Sequence, residues 1–492
     1  MKQFFSRLFD FHISHTTLSI TRFAFFIVCF CEFAQIYIWR ELSFTEKNIH
    51  TILGFTISTP DLLLPIAMII QLFVAFGLFT RFSIILNFIF AHIIISETWY
   101  HYHFDYAVVN YAFIFLFMPK PQVLALDCWI KRGFKKSTEI ITTTPVPNWF
   151  VLLMFFGVEL VYFDSLFFKY INTVWLDGLS FWLPAAIPQM STGLLPDWPI
   201  IENEFTMKGL SHLAFTLENI FPLILLRKLR FPIFLIGFGL HLGIVLFFPI
   251  PWFGLGMCAI YLLFVRWEKI LPNIAISKNN ETPVNSATKI KSIIGYAIVI
   301  IMCSSQLILI FGKYFPQDSL LLDIAKFNRP YLARAMGIYR HPVYIDSHYL
   351  RTAPIIRWKT VIDGQEVLIP SYDDKGYPNY PEISGRVWVL LNFHLRKQRQ
   401  PLSRLHHSWQ YFLLSWFIRE GIEPRDVKLY YKDARIHELR LNFNIDNEIE
   451  ERPWKDAGTI SFEKIGDTYK AHGSYTDEFI AFHQEVHTRK KR

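Results

Sequence analysis

The stretch NWFVLLMFFGVELVYFDSLFFKY, residues 148–170, decides the fold. As a helix it would run about 34 Å at 1.5 Å per residue, enough to cross ~30 Å of hydrocarbon. Its charges are confined to Glu159, Asp164 and Lys169. Similar apolar runs lie at roughly 17–38, 59–79, 82–98, 105–119, 209–227, 231–249, 252–266 and 293–312, so nine crossings are expected, with the termini on opposite sides. The whole chain agrees. With 52% hydrophobic and 18% charged residues over 492 positions, it is neither disordered, collagen-like nor coiled-coil, and it is too apolar for an ordinary soluble enzyme.

Basic residues set the orientation. Lys120, Lys131, Arg132, Lys135 and Lys136 follow the fourth run, Arg227, Lys228 and Arg230 the sixth, and Arg266, Lys269, Lys278, Lys289 and Lys291 the eighth. These connections fall on one side together with the basic N-terminus, which the positive-inside rule makes the cytoplasmic side. The connection after the fifth run instead carries Asp177, Asp197, Glu202 and Glu204 with Trp175, Trp182 and Trp198, which suits the opposite interface. The net charge of +8 is explained by these loops and by anionic lipid, so no nucleic acid is expected as a partner. Residues 1–16 (MKQFFSRLFDFHISHT) are too polar to span and too poor in small residues for a cleavage site; an interfacial amphipathic segment is expected. The 5 cysteines contain no C-x-x-C pair, so neither a disulfide framework nor a metal site is indicated.

From residue 313 to 492 the composition becomes that of a water-soluble domain, and residues 17–312 form the membrane part. Asp363-Gly364 between β-prone flanks (KTVIDGQEVLI) signals a hairpin, Val427 to Ile445 alternates like strands, and 401–420 reads as an amphipathic helix stopped by Gly421 and Pro424. A polytopic α-helical membrane protein with a C-terminal extracytoplasmic α+β domain is therefore expected. The polar segment 276–288 reads as a linker.

Ionisable groups inside spans are costly, so each needs a partner or a task. Glu159, Tyr162, Leu166 and Lys169 share one face of the fifth run. His103, Tyr106 and Asn110 do so on the fourth, Glu218 and Asn219 lie on the sixth, and His241 on the seventh. One outward-opening polar cavity would bring them together. Blander readings stand beside this one: Lys169 snorkelling to headgroups, His103 in an aromatic interfacial belt, His241 and Glu218 as a buried structural hydrogen-bond pair, and Arg22 snorkelling from the first run with Glu32 as a structural partner. His341, His348 and Arg351 show no metal-ligand spacing. The phosphate-loop, dinucleotide, H-E-x-x-H and G-x-S-x-G motifs are absent, and nine unequal runs with a large outer domain do not suggest an inverted-repeat transporter.

These residues resemble the vitamin K-dependent γ-glutamyl carboxylases and their bacterial relatives, the family built on the horizontally transferred transmembrane domain. VYFDSLFFKYINTVWLDG, residues 161–178, is similar to the family segment that reads VYF, five residues, a catalytic lysine and then W-x-x-G, with Lys169, Trp175 and Gly178 on the matching positions. TWYHYHFDYA, residues 98–107, resembles W-N-N-H-S-Y and places His103 on the active-site histidine, with Tyr102 where the family has an asparagine; Phe168 replaces the first of two paired lysines. GLHLGIVLFFPIPWFGLGM, residues 239–257, is similar to the segment whose histidine, here His241, lines the hydroquinone site. GIYRHPVYIDSH and IEPRDVKLYYKD follow the family's order in the outer domain, with His348 on a family histidine.

The resemblance implies a reduced quinone (vitamin K hydroquinone or menaquinol), O2 and CO2 as cofactors and no metal. Lys169 would deprotonate the hydroquinone; oxygen then adds, the strong base so formed removes a γ-proton from a glutamate, the carbanion captures CO2, and the quinone leaves as its epoxide. His103 would act at the catalytic centre, His241, Tyr102, Tyr106 and Trp175 would hold the ring, and Glu159, Glu218 and His348 would support them. Membrane lipid, an isoprenoid quinone and an exported glutamate-containing protein are the implied partners, and a bacterial inner membrane the implied location. The alternatives are quinol oxidation without carboxylation and a non-catalytic module that binds another envelope protein.

Overall fold

The computed structural model describes residues 13–44, 49–52, 55–98, 101, 103–119, 124–135, 146–194, 203–271, 286–342, 352–373, 375–396, 402–435, 451–466 and 468–488. Helix α1 (His15–Ile38) begins where the Ser14 hydroxyl accepts from the Thr17 N–H at 3.0 Å, so it starts inside the segment expected to lie at the interface. A small antiparallel hairpin, β1 (Ile49–Ile52) and β2 (Phe55–Ser58), leads into α2 (Thr59–Phe76). Helices α3 (Thr80–Glu97), α4 (His103–Leu116), α5 (Leu126–Lys135), α6 (Asn148–Lys169), α7 (Glu204–Ile220), α8 (Arg230–Phe247), α9 (Pro251–Tyr261), α10 (Ser286–Phe311) and α11 (Leu320–Phe327) follow. The Asp127 carboxylate of α5 caps α3 from a distance, accepting from the N–H groups of Phe79 and Thr80 at 2.8 Å each.

Among the described residues six helices, α1, α2, α3, α6, α8 and α10, are long and apolar enough to cross a membrane, which marks a membrane-associated protein. The runs at 105–119, 209–227 and 252–266 form shorter helices of 14, 17 and 11 residues. Proline bounds two of them. Pro222 turns the end of α7 into the 3-10 stretch Phe221–Leu225, and Pro251 opens α9 directly after the bend at Pro249.

The C-terminal region contains a five-stranded antiparallel sheet in the order β4-β3-β5-β6-β7: β3 (Thr352–Ile362), β4 (Gln365–Ile369), β5 (Val427–Arg435), β6 (Lys455–Ile465) and β7 (Thr468–Tyr475). Asp363 and Gly364, at φ of 51° and 78°, make the two-residue turn that the sequence predicts, closed by the Ile362–Gln365 pair. Helices α12 (Gly385–Arg396), α13 (Leu402–Glu420) and α14 (Asp477–Thr488) accompany the sheet, and α13 ends at Gly421 as expected. Alternate residues of β3 and β5 (Ile356, Trp358, Val427, Leu429, Tyr431) meet Trp409, Phe412, Leu413 and Phe417 of α13. Beyond Arg435, the strand-like alternation to Ile445 lies outside the described residues.

This core is not drawn from the C-terminal region alone. Trp39 and Leu42, just past the end of α1, are buried in it, and the Trp39 ring stacks on Phe412 with centroids 5.0 Å apart. Gln35 of α1 donates to the Ser384 carbonyl at 3.2 Å and accepts from the Trp252 indole at 2.6 Å. Arg386 of α12 reaches into the helical part as a buried ion pair with Asp105 of α4. Buried beside that pair lies Glu32 of α1. The C-terminal region is thus fastened to the end of α1 through stacking and side-chain hydrogen bonds, and to α4 through charge.

Candidate functional site

Helix α6 carries its polar residues inward. Lys169, its last residue, has a side chain only 3% exposed; its Nζ lies 2.5 Å from Glu218 Oε1 of α7 and 3.9 Å from the centre of the Trp175 ring. Trp175 comes from the one-turn helix Thr173–Leu176, which folds back under the end of α6. The amine therefore sits between a carboxylate and an aromatic face, and does not snorkel. Ser165, one turn earlier, also bonds to Glu218. Glu159 lies within electrostatic reach of Glu218, and one oxygen of each carboxylate is buried with no partner among the described residues.

Two turns before Lys169, the Tyr162 hydroxyl joins three helices. It is 2.7 Å from His241 Nε2 of α8 and 2.9 Å from the Tyr261 hydroxyl of α9. Phe221 meets the Tyr162 ring edge-on at 5.0 Å, and Phe253 meets His241 at 5.9 Å. The close approach of α8 and α9 depends on Gly237, because a Cβ there would fall within the Tyr261 ring. The structural pair expected between His241 and Glu218 is not made; Glu218 is taken by Lys169, and His241 by Tyr162.

His103 and Tyr106 of α4 belong to a second cluster, which Asp164 ties to helix α6. The His103 ring is 5.8 Å from that of His341, and Tyr106 stacks on Tyr339 at 3.8 Å with the planes 5° apart. Asn110, on the same face, donates to the Met336 carbonyl at 2.7 Å, so the polar face of α4 is covered by the chain at 336–341. Asp164 of α6 holds that chain: its carboxylate accepts from the His341 N–H and pairs with Arg340 at 2.6 Å. Arg340 in turn lies 4.6 Å over the Phe168 ring. Burial, with His103 and Arg340 adding to it, pushes the His341 imidazole down to about 3.

Lys169, Glu218, Trp175, Tyr162 and His241 thus come together, with Glu159 beside them. No hydrogen bond, ion pair or ring contact joins His103 to Lys169 among the described residues. Tyr102 and His348 lie outside the described residues. Arg22 is fully buried within electrostatic reach of Asp127, and so does not snorkel either. Among the described residues no three His, Cys, Asp or Glu side chains converge on a point where a metal ion could be held.

No protein-family model, curated protein or solved structure matches the chain. The functional case therefore rests on the chemistry of these residues.

Tyr261 and Asp164 are the contributors that reading the sequence missed. Tyr261 sits in an apolar aromatic run, where a phenol is indistinguishable from core packing. Asp164 carried a signal, a carboxylate inside a span one turn from Lys169, without indicating which distant residue it meets.

Proposed function

We propose that the chain is an integral membrane enzyme that acts on a reduced quinone with Lys169 as its base, coupling epoxide formation to carboxylation of a glutamate in an exported protein. In this reading the helical part crosses a bacterial inner membrane nine times, with the N-terminus cytoplasmic and the sheet outside. The Lys169 amine carries it. A lysine kept merely for solubility or lipid anchoring would turn its charge outward, whereas this one lies inward against Glu218 and Trp175. To act as a base it must pass on a proton, and the Glu218 carboxylate at 2.5 Å is placed to receive it.

The surroundings fit a planar aromatic ligand with two oxygens. Trp175, Phe221, Phe253 and Tyr261 supply ring surfaces, while His241 Nδ1 and single oxygens of Glu159 and Glu218 are buried polar atoms without partners among the described residues. Bound reduced quinone, with O2, would supply the oxidation and the strong base that amino-acid side chains lack. Lys169 and Glu218 would move the first proton, and the apolar walls would keep water from the reacting centre.

The test is epoxide formation, followed by chromatography, with reduced menaquinone or vitamin K, O2 and bicarbonate. Lys169→Ala and the charge-conserving Lys169→Arg are each expected to lower the rate at least ~100-fold while the protein remains folded. Well-folded wild type that forms no epoxide with either quinone would overturn the proposal. Radiolabelled bicarbonate then tests transfer to a glutamate-containing peptide.

A further inference from the structure

We infer that Tyr162 is a positioning residue that fixes His241 as the tautomer protonated at Nδ1, so that His241 offers an N–H donor, not a lone pair, to an acceptor oxygen on the bound ring. The inference deepens the reading of the site as one for a reduced quinone.

It follows from counting hydrogen bonds along one short chain of groups. Tyr261, Tyr162 and His241 share two contacts, 2.9 and 2.7 Å, and among the described residues no other hydrogen-bond partner meets these three polar ends. In one arrangement the Tyr261 hydroxyl donates to the Tyr162 oxygen and the Tyr162 hydroxyl donates to His241 Nε2. Nε2 must then be the bare nitrogen and Nδ1 must carry the hydrogen, and the only unsatisfied group is that Nδ1–H. In the reverse arrangement Nε2–H donates to Tyr162 and Tyr162 to Tyr261. The Tyr261 hydroxyl hydrogen and the Nδ1 lone pair are then both left over. A doubly protonated ring fares no better, because it leaves two donors, Nδ1–H and the Tyr261 hydroxyl, without acceptors.

Each stranded polar group in a dry site has given up its water and gained no bond in return, so the arrangement with one is favoured over those with two. The stranded Nδ1–H is then a ready donor. His241 is 2% exposed and lies within electrostatic reach of Lys169, so donor and base serve one ligand. Lys169 takes a proton from an oxygen of the ring, and an N–H aimed at an oxygen stabilises the charge that this leaves there. A lone pair at Nδ1 would instead compete for the same proton.

The experiment is nitrogen NMR on the full-length protein labelled with 15N-histidine in detergent or nanodiscs, the His241 signals being identified by their loss in His241→Gln. Wild type without ligand should show Nδ1 as the protonated and Nε2 as the bare nitrogen. In Tyr162→Phe, which keeps the ring and the packing, the fixed assignment should give way to averaged signals. The same variant should lower kcat for epoxide formation by about 10- to 100-fold while KM stays within about twofold. Protonation at Nε2, or at both nitrogens, in wild type would overturn the inference, as would an unchanged tautomer in Tyr162→Phe. The expected tautomer in a protein that turns over no quinone would leave the assignment standing and remove the enzymatic reading instead.

Discussion

At the scale of single residues, the Lys169–Glu218 pair is a charge couple withdrawn from water, held at 2.5 Å with both side chains largely covered. Removing one member strands the other in a low-dielectric setting, whereas removing both can be nearly neutral. Glu218→Leu should therefore destabilise the protein by about 3–5 kcal/mol, and adding Lys169→Met should recover most of that loss. Unfolding in mixed detergent micelles, followed by circular dichroism, measures both; a double variant no better than the single one would mean that the pair is not the stabilising unit. Lys169 and Glu218 were each conspicuous in the sequence as ions inside apolar runs. Their pairing was not, because 49 positions and two helix ends separate them, and periodicity places residues on faces without saying which faces meet.

At the scale of elements, the apolar runs and the turn at Asp363-Gly364 were legible because each is a local pattern with one cheap solution: a long helix for the runs, a tight hairpin for the turn. The shortness of α4, α7 and α9 was harder to read, since hydropathy counts apolar residues and overlooks where a helix gives way to another turn, as α7 does at Phe221 and α9 at Leu262. The contact of α8 with α9 was not legible at all. It turns on Gly237, an unremarkable glycine in a glycine-containing run, against which Tyr261 packs. Gly237→Ala should separate the two helices and cost about 1–3 kcal/mol, and it should disturb the phenol pair as well. Ultraviolet resonance Raman of the tyrosines would report the second effect; a variant with wild-type stability and spectrum would show that α8 yields freely at this point.

At the scale of the whole molecule, the sheet and the helices are joined by Arg386, whose guanidinium pairs with Asp105 inside the helical part. Arg386→Met removes the cation that pairs with Asp105 and acts on the buried Glu32. A loss of about 3–5 kcal/mol is expected, with protease cleavage appearing between the two parts before either unfolds. Simultaneous loss of both parts, with no intermediate fragment, would instead show a single cooperative unit. Nothing in the sequence announced this joint, because Trp39, Asp105 and Arg386 are ordinary residues until the fold brings them together. The same joint bears on how the protein is made. Trp39 and Leu42 leave the ribosome more than 300 positions before the surface that receives them, which is built from α13 and β3. Helix α1 must wait with its far end uncovered until that surface has been delivered. A nascent chain halted before β3 would display that bare tryptophan to quality-control proteases, so the arrival of β3 and α13 is itself the signal that α1 is safe.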